Sequence, residues 1–216
     1  MSRFSRNLWW VLMLVLGLPV AVLMAWSYSR ISLDRNILVD SPCAPPCWHG
    51  ITPGMPASVE EVIGLLKRVR GVNDIEVQER LGGSEVVWCW GLWPWHSCYN
   101  GVEIKRTVDH VHISIEFELT VQDILEEYGN PEVTTTGPAL LPEESYAEMN
   151  LIYPSKGLWF RAMLLSADHP AVEPTTEIYE VLYIVPVESL DAWIAANPAM
   201  KWQPWPGYGA VRFTYP

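Results

Sequence analysis

Leu119-Thr120-Val121-Gln122-Asp123-Ile124-Leu125-Glu126-Glu127-Tyr128-Gly129-Asn130-Pro131 reads as a short helix with both ends marked in its letters. Thr120 can cap the first turn, because a hydroxyl there accepts from a backbone N–H that has no partner within the helix. Gly129 permits a left-handed cap, and Pro131 stops propagation. Sixty-two residues earlier the lettering recurs: Ser58, Val59, Glu61, Val62, Ile63 and Leu66 stand where Thr120, Val121, Asp123, Ile124, Leu125 and Tyr128 stand later. Ser58 and Glu61 make a Ser-x-x-Glu capping box, and Val59, Val62, Ile63 and Leu66 form one apolar stripe. The first helix should end near Arg70–Gly71. A constant offset between cap and stripe predicts an internal repeat of one supersecondary unit.

Strand-like runs follow each helix. After the first come Asp74–Glu79 and Ser84–Trp90, joined at Gly82-Gly83. Between Asp109 and Glu118, Val111, Ile113, Ile115 and Phe117 alternate with polar residues, as expected of a half-buried strand with one wet face. After the second helix come Glu132–Thr136, Ala147–Tyr153 and Leu158–Leu165, the last two joined at Pro154-Ser155-Lys156-Gly157. Ile178–Val185 is apolar on both faces except at Glu180, which predicts a central strand. A further short helix is expected over Ser189–Ala196, with Leu190, Trp193 and Ile194 inward. The aromatic tail from Met200 should wrap the domain as extended chain.

The fold class expected is therefore α+β, an antiparallel sheet with two short helices from a repeated helix-strands unit, preceded by a single transmembrane helix. The divisions read as an anchor over 1–30, a Pro-rich stalk over 31–57, the repeat domain over 58–186, and a C-terminal helix with aromatic tail over 187–216.

Leu8 to Trp26 is apolar apart from Gly17 and Pro19, and about 20 such residues cross a bilayer. Trp9, Trp10, Trp26 and Tyr28 lie near its ends, where aromatic rings favour headgroups. An uncleaved anchor is expected rather than a signal peptide, whose apolar centre is shorter and whose cleavage site needs small residues; the candidate site near Ala25 has Leu23 two positions earlier. Arg3 and Arg6 before the run, against Arg30 and Arg35 after it, lean toward a cytoplasmic N-terminus and an extracytoplasmic domain in the cell membrane. Beyond Arg30 the chain holds all 25 acidic residues and 11 of the 14 basic ones, a formal charge of −14. Phosphate binding needs clustered Lys and Arg, so nucleic acid is not an expected partner.

Four cysteines in an exported domain predict two disulfides with three possible connectivities. The local pairing, Cys43–Cys47 and Cys89–Cys98, is preferred, since Cys89 and Cys98 flank a turn-rich segment that could bring two strands together. Cys-x3-Cys lacks the spacing of a redox pair, and no second ligand pair makes a zinc finger of it.

Gly50-Ile51-Thr52-Pro53-Gly54-Met55 running into the first capped helix, together with Leu119-Thr120-Val121 through Tyr128-Gly129-Asn130-Pro131, is similar to the unit of the small outer-membrane-assembly lipoprotein (SmpA/OmlA) and β-lactamase-inhibitor-protein fold. Cys43-Ala44-Pro45-Pro46-Cys47-Trp48 resembles the stalk of a group of bacterial exported proteins. The resemblance implies helices packed on an antiparallel sheet and a non-catalytic binding or scaffolding role toward an envelope protein.

No catalytic signature stands in the letters: Gly82-Gly83-Ser84-Glu85-Val86 fails as a nucleophile elbow at its last position, and there is no His-Glu-x-x-His or phosphate-binding glycine loop. No cofactor is expected. A carboxylate-dependent hydrolase is the least favoured alternative, and it leaves no spacing signature. His110 and His112, with Glu116 and Glu118 along the same face, contain zinc-ligand chemistry, but a site needs three or four convergent ligands, so a solvated polar face is the preferred reading and no metal is expected. Trp93, Trp95 and Tyr99 are the expected binding residues, able to stack on a carbohydrate or cell-wall polymer or to anchor a protein. Trp88 and Trp90 share one strand face and read equally well as core.

Overall fold

The computed structural model describes residues 43–92, 95–115, 119–138, 146–165, 169–198 and 201–213, with the backbone alone at 91, 92 and 95–97. The expected anchor, Trp93, Glu116 and Glu118 lie outside these residues. Among the described residues no helix is long and apolar enough to cross a membrane.

Both capped turns form. Helix α1 spans Val59–Leu66, with Ser58 Oγ accepting from the Glu61 N–H at 3.2 Å and the Glu61 carboxylate accepting from the Ser58 N–H at 2.8 Å. After it come β1 (Val72–Arg80), β2 (Gly83–Leu92), β3 (Trp95–Ile104) and β4 (Val108–Ser114). Helix α2 spans Val121–Tyr128 with the same reciprocal cap between Thr120 and Asp123, and leads into β5 (Val133–Pro138), β6 (Ala147–Tyr153), β7 (Leu158–Leu164), β8 (Ala171–Val172) and β9 (Ile178–Ile184). Helix α3 (Leu190–Ala196), capped by Ser189, and β10 (Gly209–Ala210) complete the elements.

Eight strands form one antiparallel sheet in the order β1-β2-β3-β4-β9-β7-β6-β5, while β10 pairs with β8. Helices α1 and α2 are thus each followed by four strands of the large sheet, and the two sets meet where His110–Ser114 of β4 runs against Glu180–Ile184 of β9. The Ile178–Val185 run is a central strand, as its two-sided apolarity predicts. β3 is not among the strands the letters predict; there, only the segment flanked by Cys89 and Cys98 stands out, as turn-rich.

Alternation along the strands sends one set of side chains to a dry face. Val86, Val102, Val111, Ile113, Val181, Phe160 and Leu151 on this face are all buried. Tyr128 of α2 packs there on Tyr153 and Phe160, with centroids 5.9 and 5.6 Å away, and Tyr153 donates its hydroxyl to the Gly129 carbonyl at 2.7 Å. Helix α1 lies against β1 and β2.

The Pro-rich stretch joins this core from Cys43 on. Trp48 is 0% exposed, stacks on Trp88 at 5.3 Å and meets Trp90 edge-on at 6.1 Å. Its backbone exchanges two hydrogen bonds with Ile51, and Gly54 and Met55 bond the backbone of Val108 at the head of β4. Trp88 and Trp90 are therefore core. Both expected disulfides form, Cys43–Cys47 and Cys89–Cys98.

The second bridge sits in a bulge. Register passes from Trp88↔Asn100 to Trp90↔Ser97, so Cys89 faces two residues, Cys98 and Tyr99. A bulge leaves ladder groups unpaired and bends its strand. The buried Asn100 side chain supplies partners, donating to the Trp88 carbonyl at 3.3 Å and accepting from the Ser114 N–H at 3.0 Å.

The tail does run as extended chain. Gln203 and Thr134 exchange N–H···O bonds of 2.7 and 3.0 Å along β5, and Gly209–Ala210 pairs with β8. On α3, Trp193 and Ile194 are half-buried rather than in a core, and Trp193 packs on Trp202 at 4.6 Å.

Candidate functional site

The opposite sheet face carries polar side chains set among apolar ones, and its register lines up residues far apart in sequence. One row crosses all eight strands: Glu76, Val87, Gly101, His112, Leu182, Trp159, Ile152 and Val133. The adjacent row runs Ser114, Glu180, Arg161, Asn150 and Thr135 from β4 to β5.

Its centre is a bonded network. Arg161 Nη1 donates to Glu180 at 2.8 Å, and the guanidinium carbon lies 5.6 Å from the centroid of the Trp159 ring. Trp159 Nε1 donates to Asn150 Oδ1 at 2.6 Å; Asn150 Nδ2 in turn donates to Glu148 at 2.9 Å and to Thr135 Oγ1 at 3.0 Å. Tyr179 donates its hydroxyl to the other Glu148 oxygen. Asn150 is 2% exposed, which is affordable only because it is bonded through both ends of its amide. Burial alone would lower the Arg161 guanidinium, but Glu180 and Glu148 more than offset it and its pKa is raised. Burial raises Glu180, with Arg161 opposing. Burial likewise raises the Tyr179 hydroxyl, so it stays a proton donor to Glu148 at neutral pH.

Across the β4–β9 seam lies His112. Its imidazole covers Gly101, where an added Cβ would come within 2.5 Å of Cε1, so only glycine leaves room for the ring. Glu85 stands 3.9 Å from Nε2 and is held by Arg80. Burial, then the neighbouring His110, lowers the His112 pKa to about 4. An unfolded histidine near 6.5 binds the proton more readily than the folded one, so acid favours unfolding. Stability from His112 is complete above pH 6.5 and drains away as pH falls toward 4. We expect a loss of about 3 kcal/mol over that window, read from urea midpoints at successive pH values, and a flatter profile for His112→Gln.

The expected histidine pair is thus divided. His112 is a half-buried neutral ring, while His110 joins Glu103 and Asp109 with one donor atom each within 4.8 Å. Lys105 Nζ lies 3.2 Å from Glu103 and 3.4 Å from Asp109, so those carboxylates already hold a cation.

Of the expected binding residues, Tyr99 emerges from the bulge 80% exposed, and Trp95 opens β3. The network was not anticipated. Its signal was present as single polar letters inside apolar strands: Asn150 in β6, Arg161 in β7 and Glu180 in β9.

No protein-family model matches this chain, and neither does any curated protein or solved structure. Its chemistry has therefore to be taken from its own geometry. The central carboxylates are each committed to a donor, Glu180 to Arg161 and Glu148 to Tyr179 and Asn150. What the face offers is recognition by side chains held in place.

Proposed function

We propose that this chain is a membrane-anchored extracytoplasmic binding protein, held by residues 8–26, that presents the polar face of its sheet to a protein partner in the cell envelope. The observation that carries the reading is the preorganisation of Trp159, Arg161 and Tyr179. Tryptophan, tyrosine and arginine dominate protein-interface anchors, and here each has its polar group bonded to a neighbour on the same face. Side chains ordered in advance lose less entropy on binding. The succession of one capped helix and four strands, twice over, supports duplication of a single unit. It accords with the similarity to the assembly-lipoprotein and inhibitor fold, from which the non-catalytic role is taken.

Crosslinking in intact membranes followed by pull-down tests this. Trp159→Ala and Arg161→Ala should each weaken capture of the partner about 30-fold, the effect of losing roughly 2 kcal/mol at an anchor. Lys67→Ala just after α1 should change nothing, and thermal melting must show that the variants remain folded. Recovery of the chain alone would reject the reading.

The exposure of Tyr99 favours a second reading, a carbohydrate or cell-wall polymer held by Trp93, Trp95 and Tyr99. Unchanged retention on cell-wall polysaccharide after alanine replacement of all three would end it.

A further inference from the structure

The C-terminal segment differs chemically from the rest of the molecule. From Ala192 to Pro216 there is no acidic residue, in a chain that carries 25 acids and a net charge of −11. Lys201 and Arg212 give the segment a positive charge, and both are exposed. Trp205 is half-buried, while Tyr208 and Phe213 are 46% and 43% exposed.

This segment is pinned on either side of its aromatic loop. Upstream, Gln203 pairs with Thr134 of β5, and the Thr134 hydroxyl also lies 3.4 Å from the Pro204 carbonyl. Downstream, Gly209–Ala210 pairs with β8, the Val211 N–H donates to the Pro170 carbonyl at 2.9 Å, and the Val211 side chain is buried. Between the pins, Pro204-Trp205-Pro206-Gly207-Tyr208 holds Trp205 and Tyr208 edge to face at 5.9 Å. Two prolines narrow the free conformations of this loop. A half-buried Trp205 and an exposed Tyr208 on a fixed loop, flanked by cations, match the headgroup zone of an anionic bilayer, where aromatic rings and Lys or Arg both gain.

We propose that the segment 202–213 rests on an anionic lipid surface. The proposal builds on the reading of Leu8–Trp26 as an anchor, which keeps a bilayer within reach: the sixteen residues 27–42 separate Trp26 from Cys43 and extend to about 55–60 Å at most. An acidic domain would otherwise be repelled by such a surface, so the acid-free end is the one able to approach it.

Hydrogen exchange of the full chain in lipid nanodiscs tests this, comparing phosphatidylcholine discs with discs containing phosphatidylglycerol. Each cation near the anionic surface favours contact about fivefold, so the two together give a preference of about 30-fold. The amides of 202–213 should exchange correspondingly more slowly in the anionic discs. K201Q/R212Q should abolish the difference, W205A/Y208A should reduce protection in both discs, and K67Q/R68Q just after α1 should leave it intact. Equal exchange in the two discs, or a difference that survives K201Q/R212Q, overturns the proposal. Carbonate extraction reads the anchor separately. If the chain washes out, the anchor reading fails, and preformed phosphatidylglycerol vesicles added to the same protein still decide the contact.

Discussion

Trp48→Ala should lower the unfolding free energy by about 3–5 kcal/mol, the range for removing a large aromatic from a packed interior. Trp48 is fully buried and packs on Trp88 and Trp90, so truncation removes the stack as well as the transfer energy. A domain of this size is stable by about 5–15 kcal/mol, so the loss is a large share of the total. Urea unfolding should show a lower midpoint at unchanged slope. Trp48→Phe should cost far less. It keeps an aromatic ring and removes an indole N–H that is buried with no hydrogen-bond partner among the described residues. A loss under about 1 kcal/mol for Trp48→Ala would mean that the Pro-rich stretch contributes nothing to the core.

Gly157→Ala should be the most damaging glycine replacement with a positive φ, costing about 3 kcal/mol or more once strain and overlap are combined. Gly157 has φ +66°, and an added Cβ would lie 2.5 Å from the Ile184 carbonyl and 2.7 Å from Pro46 Cβ. Moving aside would break the bond from the Ile184 N–H to the Gly157 carbonyl, 2.9 Å long, at the end of the central strand β9. Gly129→Ala is the control: φ is +78° and ψ −168°, but the added Cβ would meet nothing within 4 Å, so only backbone strain of about 1–3 kcal/mol remains. Thermal melts of the three proteins separate the strain from the overlap.

The elements visible in the letters are those whose signal is local. A hydroxyl three residues before an acid marks both helix starts, and the alternation in β4, β6 and β7 needs only neighbouring letters. β3 escaped because Cys98, Tyr99, Asn100 and Gly101 interrupt any alternation, and because the bulge at Cys89 shifts its phase. Trp48 stands in a stretch with no periodicity, so nothing local distinguishes it from an exposed ring. The network on the polar face depends on register between β6, β7 and β9. Asn150, Arg161 and Glu180 are single polar letters in three separate runs, and only the pairing of the strands brings them into one row.

The seam between β4 and β9 also bears on the order in which the chain folds. Gly101 and His112, paired within one meander, are 11 residues apart, whereas His110 and Ile184 across the seam are 74 apart. Each doubling of a loop adds about 0.6 kcal/mol of closure entropy, so the seam costs roughly 1.7 kcal/mol more to close than the hairpin contact. Each meander can therefore nucleate on its own, and the joining of the two is the late event. Substitutions at the seam should speed unfolding more than they slow folding, giving low φ-values beside higher ones inside each half.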